Sequence, residues 1–369
     1  MISILFFIPN LSVGGAEKVL VNLVNNMDKT KFEITVQTLF SGGINEQFLN
    51  KDITLKYCFK KAFKGNSQIF KLFKPDTLYK RLIKEHYDIV VSYLEGPTAR
   101  IVAGCPEKET KKVCWIHIQQ ETKETLAYSF RNYAEAQECY NRFDRIICVS
   151  RYVQADFLKI SGYSGQTEVL YNTNETDDII RLSDEPLELQ DGDGLFKICV
   201  VGKLKKNKGI KRLMSINKRL KDSGYKVCFI FLGVGPMEGF IREYSAANGL
   251  ENQTVLLGYQ TNPYKYIKSC DLFVCGSYAE GFSTAATEAL IVGTPVCTVE
   301  VSGMKEMLGE HNEYGILTEN NEDALYEGIR SLLDNPEKLE YYKHQAQIRG
   351  RYFSTENTVK SVEEMLMSL

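Results

Sequence analysis

Nowhere in its 369 residues does the chain carry an apolar run of about 18 or more, so no segment reads as a transmembrane helix. The ten cysteines, at 58, 105, 114, 139, 148, 199, 228, 270, 275 and 297, include no C-x-x-C pair. Cys270 and Cys275 have no matching His or Cys pair, which speaks against a zinc site. Most of them lie in apolar runs such as Ile146-Ile147-Cys148-Val149, where a free thiol behaves as a small hydrophobe. That is a reduced, cytosolic pattern. Nine prolines and 27 glycines are too few for a low-complexity chain. No charge sign dominates: the net charge is −2, which argues against general nucleic-acid binding.

What is present is ordinary for a globular protein, with 44% hydrophobic and 25% charged residues. The length asks for two domains. Charge is unevenly divided between them. Residues 1–170 hold 23 Lys+Arg against 18 Asp+Glu, leaving 22 against 29 for the remainder, so the halves carry +5 and −7. The apolar start, Met1 to Ile8, lacks a basic flank and a small-residue cleavage site, and reads as a buried strand rather than a signal peptide.

Short apolar runs alternate with amphipathic stretches of helical length. Strands are expected at 2–8, 32–40, 53–57, 88–93, 111–118, 144–149 and 167–171, then at 196–202, 226–232, 253–257, 271–275, 296–299 and 315–318. Runs such as Ile89-Val90-Val91 are apolar on both faces, as in parallel sheets covered by helices. The rhythm stops in the polar stretch 172–194, read as a linker. The expected organisation is a domain over 1–171, a second over 195–353, and a last helix over 354–369 with no strand after it. Ligands of doubly wound sheets bind beyond the carboxyl ends of the strands, so a cleft between two such domains is the default site.

Four segments could carry chemistry there. Gly14-Gly15 stands between the first strand and first helix, where backbone can approach an anion closely. Gly233-Val234-Gly235-Pro236 follows a strand but lacks dinucleotide-binding spacing. Gly202-Lys203-Leu204-Lys205-Lys206-Asn207-Lys208-Gly209 places four lysines after the first strand of the second domain, where two of them could clamp a diphosphate. Glu280-Gly281-Phe282-Ser283-Thr284-Ala285-Ala286-Thr287-Glu288 puts one carboxylate on a loop and another on the following helix. Glu288 lies among Ala285, Ala286, Ala289 and Leu290, a poor setting for a solvated carboxylate. The plainer reading has Glu280 capping that helix and Glu288 in solvent.

The segment from Glu280 to Glu288 resembles the E-x7-E element of family 4 glycosyltransferases, which have the GT-B fold. The resemblance runs along nearly the whole chain, in order. Gly14-Gly15-Ala16-Glu17 looks like the family's N-terminal Gly-Gly loop, and Trp115-Ile116-His117 like its strand-end histidine. Gly202-Lys203 through Lys208-Gly209 resembles its V-G-R-L…K-G element, and Gly233-Val234-Gly235-Pro236 its G-x-G-P turn. The resemblance implies an α/β, GT-B enzyme: two doubly wound Rossmann-like domains facing a central cleft, with the last helix crossing back onto the first.

It also implies retaining transfer of a sugar from a nucleotide diphosphate sugar without metal or other cofactor. Lys203 and Lys208 would neutralise the diphosphate, and Glu288 would take the ribose hydroxyls. Glu280 with the backbone of Gly281, Phe282, Ser283, Thr284 and Ala285 would hold sugar hydroxyls and phosphate. His117 would line the donor sugar. Gly14, Gly15, Gly202 and Gly235 would pack against the donor. Lysine at 203, where the family often has arginine, keeps the charge but loses the bidentate fork. Asp191-Gly192-Asp193 spells a metal motif of another glycosyltransferase fold, but it falls in the linker and reads as a turn.

The basic excess of the first half sits at 51–84, with ten Lys/Arg against Asp52 and Asp76, interleaved with aromatics. Lys60, Lys61, Phe63, Lys64, Phe70, Lys71, Phe73 and Lys74 are expected to touch an anionic membrane surface. The expected enzyme is thus a UDP-sugar-dependent glycosyltransferase at the cytoplasmic membrane face. Its acceptor would be a saccharide, lipid-linked as in capsule or exopolysaccharide assembly, with no nucleic-acid partner. The rival readings are a UDP-sugar epimerase of the same fold and a non-catalytic sugar-nucleotide-binding protein.

Overall fold

A computed structural model of the chain describes residues 1–12, 14–187, 194–301 and 303–369. It divides into two compact units, Met1–Asn174 with Thr355–Leu369, and Glu175–Ser354. The first holds β1 (Ile2–Ile8), β2 (Phe32–Phe40), β3 (Thr54–Phe59), β4 (Ile89–Ser92), β5 (Lys111–Ile116), β6 (Arg145–Cys148) and β7 (Gln166–Val169). They form one parallel sheet in the order β3-β2-β1-β4-β5-β6-β7. The second unit holds β8 (Phe196–Val201), β9 (Val227–Leu232), β10 (Thr254–Gly258), β11 (Leu272–Cys275), β12 (Val296–Val299) and β13 (Ile316–Thr318). Its sheet is also parallel, in the order β10-β9-β8-β11-β12-β13.

Each expected apolar run is one of these strands. The central ones are buried along their length, β4 and β9 completely, because helices cover both faces. In both sheets the strand order reverses beside the first strand, between β1 and β4 and between β8 and β11. A crevice opens at such a switch point, outside the carboxyl ends of the strands. That geometry selects the loops after β1, β4 and β5 in one unit and after β8, β9 and β11 in the other. All ten cysteines are free, and eight are buried.

The last helix, Thr355–Met367, packs against the helix Gly15–Asn26 of the first unit. Its Glu363 carboxylate accepts the Asp28 backbone N–H at 2.6 Å and pairs with Lys31 at 3.2 Å. The polar stretch 172–194 is less of a linker than its composition suggests. A helix forms at Thr176–Ser183 and buries Ile179 against Tyr264 and Ile291 of the second unit. Asp191-Gly192-Asp193 lies outside the described residues. The stretch between β5 and β6 forms two helices, Lys123–Ala127 and Tyr133–Tyr140, the second begun by Asn132, whose side chain accepts from the Glu135 N–H.

The basic segment departs most from expectation. Phe70 is buried, and it stacks with Phe63 and Phe59 at ring separations of 6.1 Å, with Phe40 joining Phe59 and Phe63. Phe73 lies under the Arg81 guanidinium at 5.2 Å. Phe70 is therefore a packing residue of the first unit and not a membrane anchor, while Phe63 and Phe73 are half-buried, the one against Phe40, Phe59 and Phe70 and the other against Arg81. The short helix Asn66–Leu72 carries Phe70 and is followed by Phe73, and two arginines hold its end. Arg100, almost wholly buried, donates to the carbonyls of Phe70 at 2.9 Å and Phe73 at 2.8 Å and to Glu135 at 2.9 and 3.1 Å. Arg131 donates to the carbonyls of Lys71 at 2.7 Å and Leu72 at 3.1 Å. The carbonyls of residues 70–73 are thus met from outside the helix, that of Phe70 in addition to the Phe73 N–H it accepts at 3.3 Å.

Replacing Arg100 by Met keeps the volume but leaves Glu135 with Arg131 alone and strips the guanidinium donors from the Phe70 and Phe73 carbonyls. It should lower unfolding free energy by about 3–5 kcal/mol. Urea denaturation measures the change, and a loss below about 1 kcal/mol would show that the clamp does not hold this region.

Candidate functional site

In the second unit, three loops at the switch point are joined through their backbones. Gly233 sits at φ 134°, and a Cβ there would lie 2.1 Å from the Gly202 carbonyl oxygen, so only glycine allows the loops after β8 and β9 to meet. The Leu204 N–H then donates to Val234 O and the Met237 N–H to Leu204 O, both at 3.0 Å, while the Gly235 N–H donates to the Glu238 carboxylate at 2.7 Å. The lysine loop is bound as closely to the loop after β11. Gly209 sits at φ 68°, and a Cβ there would lie 1.8 Å from the Gly276 carbonyl oxygen. The Tyr278 N–H donates to Asn207 O at 2.8 Å.

This approach brings Lys208 and Glu280 together. The Lys208 ammonium meets Oε1 of Glu280 at 2.5 Å, and the Ser277 hydroxyl donates to the same oxygen at 2.6 Å. Half-buried Lys208 is thus already compensated, whereas Lys203, Lys205 and Lys206 stay exposed and supply the outward positive field. Arg212 stacks over the Tyr278 ring at 4.4 Å and donates to Asn320 at 2.9 Å, fixing the far side of the loop.

Glu280 does not cap the helix Thr284–Ile291. Ser283 does, its hydroxyl accepting from the Ala286 N–H at 3.3 Å. The Phe282 ring turns inward against Phe353 at 5.6 Å, so what Phe282 offers a ligand is backbone. The first turn, Thr284 and Ala285, adds N–H groups at the positive end of the helix dipole. Glu288 is 4% exposed, which removes the solvated-carboxylate reading. An ionisable group so buried requires partners.

In the first unit, Gly14 is the extended residue ahead of the helix Gly15–Asn26, and Asn45 holds the preceding turn by donating to Ser12 O at 2.6 Å. His117 follows β5 and is buried, with its ring against Tyr93 at 5.0 Å. Burial pulls its imidazolium down to about 3, opposed by a hydrogen bond to the Tyr93 backbone, so the ring is neutral at pH 7. Its Nε2 is buried and has no hydrogen-bond partner among the described residues. The His117 backbone N–H donates to Glu95 Oε2 at 2.8 Å. Burial pushes the Glu95 carboxyl up to about 7 against the opposing pull of backbone N–H groups, His117's foremost.

The sequence-predicted residues thus fall into two sets. Gly202, Lys203, Lys208, Gly235, Glu280 and the 281–288 segment share the switch-point loops of the second unit. Gly14, Gly15 and His117 share those of the first. Glu95 escaped the sequence reading, because a single Glu ahead of Gly-Pro carries no pattern; its place beside His117 comes from the pairing of β4 with β5. Among the described residues, no group of three or more His, Cys, Asp or Glu is arranged to hold a metal ion.

Comparison with known proteins agrees with this geometry. The family model described as Glycosyltransferase Family 4 matches residues 13–178, and that described as Glycosyl transferases group 1 matches 187–349. A Campylobacter jejuni protein named as an N-acetylgalactosamine-N,N'-diacetylbacillosaminyl-diphospho-undecaprenol 4-alpha-N-acetylgalactosaminyltransferase is 27% identical over 358 residues, 94% of each chain. The capsular polysaccharide biosynthesis glycosyltransferase CapM of Staphylococcus aureus is 27% identical over 173 residues, 46% of this chain and 45% of CapM. Among solved structures, Anabaena HepE in complex with UDP superposes with a TM-score of 0.77 at 21% identity, covering 100% of both chains.

The Glu95 carboxyl binds its proton more tightly folded than unfolded, where its value is near 4.5. Its contribution to stability is therefore complete below that value and is lost as pH rises through about 7. Glu95→Gln should consequently gain stability relative to wild type between about pH 5 and about pH 8. Denaturant titrations at the two pH values measure the gap, and parallel behaviour of both proteins would contradict the burial of this carboxyl.

Proposed function

The chain belongs to the family 4 glycosyltransferases, with the GT-B fold, and from that premise we propose that it moves a sugar from a UDP-sugar to a lipid-linked saccharide with retention at the anomeric carbon. The observation that carries this reading is the Lys208–Glu280 pair at the switch point of the second unit, beside an open helix N-terminus and an exposed lysine loop. Cell-surface polysaccharide synthesis is the setting, in keeping with the names of its relatives. HepE complexes with UDP and with UDP-glucose support the donor class. The name of the C. jejuni relative, which specifies a diphospho-undecaprenol-linked substrate, supports the acceptor, and with it we place the chain at the cytoplasmic face of the membrane.

Breaking the glycosyl–phosphate bond gathers negative charge on the departing diphosphate and leaves oxocarbenium character on the sugar. Lys203 is assigned to the diphosphate. Lys208 shares its charge between Glu280 and the diphosphate, so its contribution grows as the leaving group becomes more negative. The N–H groups of Ser283 to Ala285 add the helix dipole at the same oxygens. Glu288 takes the ribose hydroxyls, Glu280 the sugar hydroxyls, and neutral His117 offers Nε2 to the sugar. Gly14, Gly15, Gly202 and Gly235 let backbone come close to the donor. With cationic side chains and a helix end serving the leaving group, the chemistry is assigned no metal.

Three measurements test this. Glu288→Ala should weaken UDP binding by about 1.5–3 kcal/mol in calorimetry, the loss of a charged hydrogen-bonding partner. Lys203→Ala and Lys208→Ala should each lower kcat/KM for a radiolabelled UDP-sugar by about tenfold or more while leaving Tm nearly unchanged. Activity should survive EDTA. Wild-type kcat/KM in both lysine variants, or activity lost to chelation and restored by Mn²⁺, would overturn the diphosphate assignment. No turnover with any UDP-sugar would favour the non-catalytic reading.

A further inference from the structure

The first unit exposes apolar side chains where its charge is most one-sided. Ile69 and Leu72, on the solvent side of the short helix Asn66–Leu72, are 41% and 75% exposed, and Tyr128 is 74% exposed. They belong to one patch. The Lys71 ammonium lies 5.8 Å from the Tyr128 ring centroid, and Arg131 donates to the carbonyls of Lys71 and Leu72. Between Lys60 and Pro75 there are five lysines and no acid. Lys60, Lys61, Lys64 and Lys74 are exposed. Glu135, an acid close by, is occupied by Arg100 and Arg131.

A solvent-facing Leu on a helix of less than two turns would ordinarily relieve itself by fraying, since such helices are marginal alone. Here Arg100 and Arg131 bind the carbonyls of residues 70–73, and Phe70 is locked in the aromatic cluster, so the turn cannot fold its apolar side away. The patch is held in place from behind and exposed, with a basic rim.

We propose that the segment Lys60–Lys74, together with Tyr128, docks the first unit onto an anionic lipid surface. Ile69, Leu72 and Tyr128 enter the boundary between headgroups and acyl chains, and Lys60, Lys61 and Lys64 meet the lipid phosphates. This rests on the lipid-linked acceptor proposed above, and it replaces the phenylalanines at 63, 70 and 73 with more exposed anchors. The one-sided charge selects anionic lipid over a second copy of the chain, because two copies of a lysine-rich rim would repel across a shared interface.

Co-sedimentation of the full chain with phosphatidylcholine vesicles, with and without phosphatidylglycerol, tests it. Wild type should pellet only with phosphatidylglycerol, and less as salt rises. Each lysine near the surface contributes about fivefold, so Lys60→Glu, Lys61→Glu and Lys64→Glu together should weaken binding by about a hundredfold or more. Ile69→Ser with Leu72→Ser should weaken it by about tenfold or more while keeping the salt dependence. Circular dichroism melting confirms that each variant folds. Equal pelleting of wild type and the lysine variant, or no pelleting with phosphatidylglycerol, overturns the proposal. So does lipid-free self-association abolished by the serine pair. UDP-sugar turnover without vesicles is read separately. Docking without turnover contradicts the transferase assignment alone, and turnover without docking contradicts this proposal alone.

Discussion

The site of the second unit depends on one close approach, the backbone of Gly209 against the Gly276 carbonyl. Any side chain at 209 would occupy the place of that oxygen, and the positive φ there is strained for every residue but glycine. Because the approach is made, Asn207 reaches Tyr278, and Lys208 reaches Glu280 at the end of β11. The pair in turn sets the charge of the site. Lys208 is compensated internally while Lys203, Lys205 and Lys206 are exposed, so the loop buries no uncompensated cation.

The first unit uses the opposite electrostatics. His117 and Glu95 are held where burial disfavours the charged form of each, the imidazole neutral and the carboxyl poised near neutrality. A neutral imidazole with an unpartnered Nε2 suits hydrogen bonding to sugar hydroxyls better than attraction of a phosphate. The division of labour follows from the sheets. Both have their switch point beside the first strand, and each puts its own chemistry on the loops selected there.

The strands were legible because a run buried on both faces, such as Ile89–Ser92, is apolar whatever its neighbours do. The motif loops were legible because backbone approach requires glycine and charge requires lysine or glutamate at fixed positions. The helices at Asn66–Leu72 and Thr176–Ser183 were not, since each is short and held by distant partners: Arg100 and Arg131 in one case, Tyr264 and Ile291 in the other. Phe70 looks like an anchor in a linear sequence and becomes core only once β3 and the following helix fold together, with Phe59 and Phe63 against its ring. Arg100, inside Thr98-Ala99-Arg100-Ile101-Val102, did carry a signal, because a cation in an apolar helix must find an anion. Glu288, among alanines, carried the same signal and is buried as its surroundings implied.

The most direct test of this account is a double-mutant cycle between Lys208 and Glu280, read as kcat/KM for a UDP-sugar. If the ion pair is one working unit, Lys208→Ala and Glu280→Ala combined should be little worse than the more damaging single variant, a coupling of about 1 kcal/mol or more. Additive losses within about 0.3 kcal/mol would contradict it, and would make the contact at 2.5 Å an incidental meeting of two independent groups.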